Sequence, residues 1–234
     1  MRSEVIRAAQ VGVMTWWLNA ALAHTEPLDE ASPHLLGDVI GMSPDDHRQS
    51  WILATGGLRG AGIDHLRLAI VEPGDPLGVA GPAPVTAAAV SAGMALVSDV
   101  GGVTFIPDAE IGLWTRVASR RTLTPAGLGT VANARTVMRE AMHTLSATFP
   151  TVDPDEQVMA ELTSYRQFGL PITPYGISER TREIATDSLR VWWLTAITRD
   201  FCERSGLPVP TQLRELRPAA RRSAAVAFSE VPQA

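Results

Sequence analysis

The segment from Pro73 to Pro84 has the composition that points most directly to binding chemistry. Seven of its twelve residues are proline or glycine, so no regular helix or strand is expected there. After a buried strand, such a loop offers a ligand a rigid backbone with exposed N–H groups, and Asp75 and Gly78 are the candidate contacts. The alternative is a compact surface turn in which Asp75 bonds its own backbone.

Two further polar residues are candidate ligand contacts. Asn19 stands among apolar neighbours on a predicted helix, where an amide is either bonded to the backbone or turned toward a ligand. Tyr175, one of two tyrosines in the chain, lies in a second loop rich in proline and glycine, residues 169–176. Asn19, Asp75, Gly78 and Tyr175 therefore form the predicted ligand-binding set.

Several catalytic chemistries are excluded by residue type. All 20 basic residues are arginine, so no lysine is present for a Schiff base, a phosphate-binding loop or a kinase site. A G-x-S-x-G nucleophile motif is absent, and Cys202 beside Glu203 is expected to be a core thiol. The G-x-G-x-x-A pattern at 127–132 lacks the flanking strands of a dinucleotide site. We therefore predict no cofactor and favour a protein without catalytic activity.

The histidines leave one enzymatic alternative open. None of the five has the short helical spacing of a metal-ligand pair, so no metal site is predicted; they are His24, His34, His47, His65 and His143. A carboxylate such as Asp75 can still meet a histidine in the folded chain. The alternative function is therefore a hydrolase or an acid–base enzyme.

Two stretches resemble a known family. They are Trp17-Leu18-Asn19-Ala20-Ala21-Leu22-Ala23 and Glu72-Pro73-Gly74-Asp75-Pro76-Leu77-Gly78-Val79-Ala80-Gly81-Pro82. Together they are similar to a family of bacterial proteins from high-GC genomes that carry W-x-N-A-x-L-A followed by P-G-D-P-L-G-x-x-G-P, with a helical second half. No activity is established for that family, so the resemblance implies an architecture and brings no catalytic residues. It supports Asn19 and Asp75 as positions to test.

Two Trp-Trp pairs occupy separate predicted helices, at Trp16-Trp17 and Trp192-Trp193. Adjacent helical residues point about 100° apart, so both indole rings of a pair cannot face one narrow stripe. Such helices are either central in their domain or half buried in a partner. Central packing is the preferred interpretation, and a homodimer or scaffold protein assembled through these helices is the alternative.

Charge patterning argues against a nucleic-acid partner. Residues 1–115 carry 5 arginines against 13 acidic residues, which a phosphate backbone would repel. Arg214, Arg217 and Arg221 recur on one predicted helix face, next to Arg222. This face would suit an anionic ligand or partner, although a solvated face is the commoner explanation for such spacing.

Periodicity and capping signals predict an α+β fold. Helices are expected at 4–23, 28–36, 43–60, 85–92, 124–149, 153–168, 178–205 and 211–230, and strands at 65–71, 94–98, 103–106 and 111–118. Consecutive short strands with short links indicate a small antiparallel sheet. We predict a mixed domain at 1–121 with helices around that sheet, followed by an all-helical domain at 122–234.

The first predicted helix has some features of a secretory signal, since Arg2 and Arg7 precede an apolar run that ends in Ala21-Leu22-Ala23. Glu4 and the polar interruptions in that run favour an amphipathic helix packed into the body instead. No apolar run is long enough to span a membrane. The leading hypothesis is a non-catalytic, cytoplasmic protein that binds a small molecule or a protein partner through the loop from Pro73 to Pro84.

Overall fold

A computed structural model describes residues 2–41, 47–77, 79, 81–98, 100, 102–119, 130–146 and 156–232. Within these ranges there are eight α-helices: α1 (Arg2–Leu22), α2 (Leu28–Ala31), α3 (Trp51–Gly60), α4 (Ala83–Ala92), α5 (Val131–Ser146), α6 (Glu156–Gln167), α7 (Glu179–Arg204) and α8 (Leu213–Phe228). The strands are β1 (Asp38–Gly41), β2 (Gln49–Ser50), β3 (Arg67–Ile70), β4 (Met94–Val97), β5 (Val103–Pro107) and β6 (Leu113–Ala118).

The six strands form one sheet in the order β2-β1-β6-β5-β4-β3. Strands β4, β5 and β6 form an antiparallel meander, as the short links between them predict, and β3 pairs antiparallel with β4 after the intervening loop and α4. Strand β1 pairs in parallel with β6, and β2 pairs antiparallel with β1. The α+β class is confirmed, with the sheet in the N-terminal half and helices in the C-terminal half. The sheet is larger than expected and contains one parallel pair.

The predicted helix at 43–60 is wrong at residues 47–50. Residues 42–46 lie outside the described ranges, 49–50 form β2, and the helix begins at Trp51. The indole N–H groups of Trp51 and Trp114 both donate to Leu36 O, at 3.0 and 2.8 Å. These bonds hold the segment before β1 against β6 and α3. Strand β1 depends on this tertiary contact, so local capping signals could not reveal it.

The C-terminal half follows its sequence signals closely. Ser178 caps α7 by accepting a hydrogen bond from Thr181 N at 3.1 Å, as the predicted start at 178 requires. Helix α8 continues through Pro218, which lies inside it. The predicted start of α5 at 124 and the capping residues 153–155 before α6 lie outside the described residues, as does most of the G-x-G-x-x-A pattern at 127–132.

Helix α1 is the centre of the described structure. From residue 11 to 22 every side chain is buried, so the predicted amphipathic helix is instead enclosed on all sides. It contacts α2, α3, α7, α8 and β3. Buried apolar side chains from both halves form one hydrophobic core, from Val5 to Phe228. The predicted domain boundary at residue 121 falls among 120–129, which are not described.

None of the helices within the described ranges has both the length and the apolar composition that crossing a bilayer requires.

Candidate functional site

The loop after β3 begins with a tight turn of four residues, from Glu72 to Asp75. Asp75 N donates to Glu72 O at 2.9 Å, and Glu72 N donates to Asp75 O at 3.2 Å. Gly74 has a φ of 84°, which is the left-handed conformation that a type II turn requires at its third position after proline at the second. The Pro73-Gly74 pair therefore specifies this turn locally, without tertiary contacts.

The next part of the loop inserts into the protein and does not lie flat on its surface. Leu77 and Val79 are each 4% exposed. Leu77 has a φ of 43°, a conformation that side-chain-bearing residues adopt rarely. The buried Arg67 of β3 donates to Leu77 O at 2.8 Å and thereby stabilises this backbone. Gly78, a predicted ligand contact, lies outside the described residues.

Arginines of α8 bind the acidic residues of the turn, an arrangement we call the arginine clasp (Glu72, Asp75, Arg217, Arg221 and Arg222). Arg217 pairs with Glu72 at 2.7 Å, and Arg222 pairs with Asp75 at 3.0 Å. Arg221, which is 1% exposed, contacts the other oxygen of Glu72. Burial lowers the pKa of Arg221, and the nearby carboxylates of Glu72 and Asp75 partly oppose that shift.

The clasp gives Asp75 a partner that neither interpretation included. Its carboxylate faces Arg222 of α8, neither its own backbone nor a histidine. Three-quarters of the Asp75 side chain is covered. On the predicted arginine face of α8, the guanidinium groups of Arg217 and Arg222 bind carboxylates of this same chain. The stripe predicted for an anionic partner therefore has an intramolecular partner at Arg217, Arg221 and Arg222.

Asn19 has an equally definite structural position. Strand β3 is an edge of the sheet, and Val71 N just beyond it donates to Gly93 O next to β4. The N–H and C=O groups of every second residue along β3, starting with Leu66 just before the strand, therefore point away from β4. Asn19 Nδ2 donates to Leu66 O and Asn19 Oδ1 accepts from Leu66 N, both at 2.9 Å. The fully buried amide thus acts as one further rung of the sheet.

Two residues of the C-terminal region continue this pairing along β3. Ser229 Oγ accepts a hydrogen bond from Leu68 N at 3.0 Å, and Arg221 Nη2 donates to Ile70 O at 2.6 Å. Polar side chains of α1 and α8 and of the residue after α8 therefore bind successive outward groups of the edge strand. An edge covered in this way cannot pair with another chain.

Tyr175 is 79% exposed and lies at the surface of the second loop. Its backbone N donates to Glu26 Oε1 at 3.0 Å, and Trp17 Nε1 donates to Ile172 O at 3.2 Å. These two bonds attach the loop to α1 and the residues after it. The structure thus separates the predicted set, with Asn19 inside the core, Asp75 in the clasp and Tyr175 at the surface.

The four paired tryptophans are packed within the chain. Their exposed fractions are 0% for Trp16, 7% for Trp17, 4% for Trp192 and 3% for Trp193. Central packing is therefore the correct interpretation of both pairs, and these rings offer a second copy almost no exposed surface. Across the described ranges, no group of three or more histidine, cysteine or acidic side chains is arranged to hold a metal ion.

A cleft of about 420 Å³ lies between α4 and one face of β5 and β6. Pro84 and Val85, where the proline- and glycine-rich loop passes into α4, line one side. Most of the other lining is apolar; the full set is Arg7, Pro84, Val85, Ala88, Ser91, Ala92, Ile106, Pro107, Asp108, Ala109, Leu113, Thr115 and Val117. A volume of roughly 300–1,000 Å³ with apolar walls and a few polar groups is typical of small-molecule sites.

Arg7 is the one basic residue that lines this cleft. Its Nη1 donates to Ala92 O at 3.1 Å, and its Nη2 donates to Asp108 O, so the side chain joins the end of α4 to the β5–β6 turn. Burial lowers the pKa of Arg7, and the Asp108 carboxylate partly opposes that shift. Asp108 Oδ1 accepts from Gly112 N at 2.8 Å and so shapes the same turn.

The first half of the chain is similar to a known protein family. Residues 12–127 match the family model for the Rv1486c-like protein, N-terminal domain. The matched range includes Asn19, the turn from Glu72 to Asp75 and the strands from β1 to β6. This is an uncharacterised family, and the match leaves out Arg7 and helices α5 to α8. Neither the comparison with curated proteins nor the comparison with solved structures gave a match.

The matched segment therefore supplies only one side of the arginine clasp. Glu72 and Asp75 lie within it, whereas their arginine partners lie beyond it. Sequence reasoning missed the cleft, because Val85, Ile106 and Val117 have the ordinary pattern of buried residues. A signal in the sequence was Arg7, one of three charged residues in α1.

Proposed function

We propose that this protein is a non-catalytic binding protein whose ligand is a small molecule with an apolar body. The site is the cleft between α4 and the sheet, at the C-terminal end of the loop from Pro73 to Pro84. The observation that carries the proposal is the combination of a 420 Å³ volume, a mainly apolar lining and one cationic group. Apolar surface of the ligand would be removed from water on binding, which provides the main driving force.

The lining favours binding over catalysis. It contains no histidine and no cysteine, and its carboxylate, Asp108, accepts a backbone hydrogen bond within its own turn. A general acid–base reaction needs a proton-transfer group positioned against the substrate. The enzymatic alternative, which pairs Asp75 with a histidine, loses support because Asp75 is paired with Arg222.

The loop contributes to this site by fixing α4. The arginine clasp and the buried side chains of Leu77 and Val79 anchor the chain shortly before α4 begins. At the other end, Gly93 has a φ of 75° and Arg7 binds Ala92 O. Two anchored ends hold α4 over the sheet, while only Val85 and Ala89 of its ten residues are buried. A cleft can persist beneath a helix supported in this way.

Ala88→Trp is expected to block the cleft. Ala88 is exposed and lines the cleft, so an indole there would occupy ligand volume without replacing a core side chain. We expect the affinity for the neutral apolar dye N-phenyl-1-naphthylamine, measured by fluorescence titration, to fall about tenfold or more, which corresponds to about 1.4 kcal/mol. Ala87→Trp is the matched control, because Ala87 is exposed on α4 and does not line the cleft.

The two variants separate site-specific binding from surface adsorption. Equal dye binding by the Ala88→Trp and wild-type proteins would contradict the proposed site. Equal losses in both tryptophan variants would mean that the dye reports a general property of α4. Unfolding monitored in the same samples by circular dichroism shows whether either variant has lost its fold.

We propose a cytoplasmic location as well, because α1 is a buried part of the core. Cleavage after Ala23, where the sequence resembles a signal-peptide site, would remove a helix whose residues 11–22 are all buried. The core would lose its central element. Intact-mass spectrometry of the native protein should therefore find α1 present, whereas a mature chain that begins at His24 would refute this part of the proposal.

A further inference from the structure

Two charged side chains line the cleft, and they differ in how they are bonded. Arg7 is half-buried at the cleft, where Asp108 is the one acidic residue of the lining. The guanidinium is bonded to two neutral carbonyl oxygens, of Ala92 and Asp108, and makes no ion pair with a described residue. The Asp108 carboxylate is near enough to act on Arg7 but is bonded to Gly112 N.

Arg7 also retains unused hydrogen-bonding capacity. A guanidinium has five N–H donors, and the two carbonyl bonds use one on each terminal nitrogen. The Nε of Arg7 is enclosed and has no partner. One further N–H remains on each terminal nitrogen, and two such donors fit the two oxygens of a carboxylate. A buried cation with spare donors is stabilised when an anion joins it.

We propose that the ligand of this cleft is a monocarboxylate with an apolar body, bound with its carboxylate on Arg7 and its apolar part between α4 and the sheet. This inference rests on the proposed function and specifies its ligand class. The hydroxyl groups of Ser91 and Thr115 line the same cleft and add polar donors to it. Apolar residues such as Val85, Ile106 and Val117 provide the surface for the ligand's body.

If the ligand is a carboxylate, the cleft should prefer a negatively charged head group over a neutral one when the apolar tail is the same. Octanoate and 1-octanol share their apolar tail and differ in the charge of the head group. In competition with N-phenyl-1-naphthylamine, octanoate should bind the wild-type protein about tenfold more tightly than 1-octanol, since hydrogen bonds to ions are stronger than those between neutral groups. Octylammonium should bind most weakly of the three, because Arg7 would repel it.

Two substitutions should change this preference in opposite directions. Arg7→Met should remove the octanoate preference, so that octanoate and 1-octanol bind the variant with equal affinity. Asp108→Asn keeps an oxygen to accept from Gly112 N and removes the neighbouring negative charge. It should therefore tighten octanoate binding by about two- to threefold and leave 1-octanol binding unchanged.

The outcomes distinguish the ligand class from the site itself. Equal affinities for octanoate and 1-octanol in the wild-type protein would overturn the carboxylate inference and leave the apolar cleft in place. A failure of all three probes and the dye to bind would overturn the proposed function itself. If Arg7→Met does not fold, Arg7→Lys replaces it, because a lysine that keeps the charge should retain part of the octanoate preference.

Discussion

Arg221→Met is expected to lower the free energy of unfolding by about 2–4 kcal/mol, because it removes one partner of a buried ion pair and a hydrogen bond to the edge strand. Arg221 is 1% exposed and contacts Glu72, and its Nη2 donates to Ile70 O at 2.6 Å. Methionine fills a similar volume, so the loss reports mainly the Glu72 oxygen that loses its contact with Arg221 and the Ile70 carbonyl that loses its donor. Equilibrium urea unfolding measures the change.

Arg222→Met is the matched control on the same helix. The Arg222 side chain is 47% exposed, and its pair with Asp75 lies near the surface. Exposed pairs contribute little, so we expect a loss below about 1 kcal/mol. Similar losses in the two arginine variants would contradict the central place of Arg221 in the clasp. Adding Glu72→Gln to Arg221→Met should cost less than the two single losses added together, because both substitutions remove the same contact.

Asn19→Leu is expected to lower the free energy of unfolding by about 3 kcal/mol, although leucine suits an apolar environment and has a similar volume. The reason is that Leu66 N and Leu66 O would both remain buried without a partner, and each unpaired buried group costs about 1–3 kcal/mol. Asn19 is the residue that bonds both groups in the structure. The same urea titration applies, with intrinsic tryptophan fluorescence as the signal.

Thr15→Val is the control for this second prediction. Thr15 is fully buried on α1 as well, but its hydroxyl bonds only Val11 O, a carbonyl of the same helix, at 2.7 Å. Valine would leave that carbonyl in the helical hydrogen-bond pattern, so we expect a loss below about 1 kcal/mol. A loss at Asn19 no larger than that at Thr15 would show that the edge strand does not depend on the amide.

Each of the two stretches of sequence that carry the family resemblance contains a residue with a structural role. Asn19 lies in the helical stretch and Glu72 in the loop stretch, and both act on the region of β3. Their partners are Leu66 and Arg221, which neither stretch contains. Losing Asn19 or Glu72 should therefore reduce stability. Ligand affinity at the cleft, in contrast, is expected to follow Arg7, Ala88 and Asp108.

Local chemistry in the sequence predicted the elements that depend on nearby residues. Ser178 caps α7, and the short links between β4, β5 and β6 give an antiparallel meander. In each of these cases the stabilising bond joins residues that are close in the chain. The α+β class followed from the same local signals.

Contacts between distant residues explain what the sequence did not predict. Strands β1 and β2 were missed because they depend on Leu36 accepting from two tryptophans and on pairing with β6. Asp75 was considered as a ligand contact or a turn residue, and its pairing with Arg222 was missed because that partner is 147 positions away in the chain. Gly78 lies outside the described residues, and ligand binding by Asp75 and Tyr175 stays a prediction.

By itself the sequence determined the class of fold, the positions of most helices and the absence of lysine chemistry, because these depend on residue type and short-range periodicity. Only the tertiary structure decided that α1 is enclosed, that Asn19 and Arg221 satisfy the edge of β3, and that a cleft opens beneath α4. Burial and pairing are properties of the whole chain, since the free energy of a polar side chain depends on which distant groups surround it.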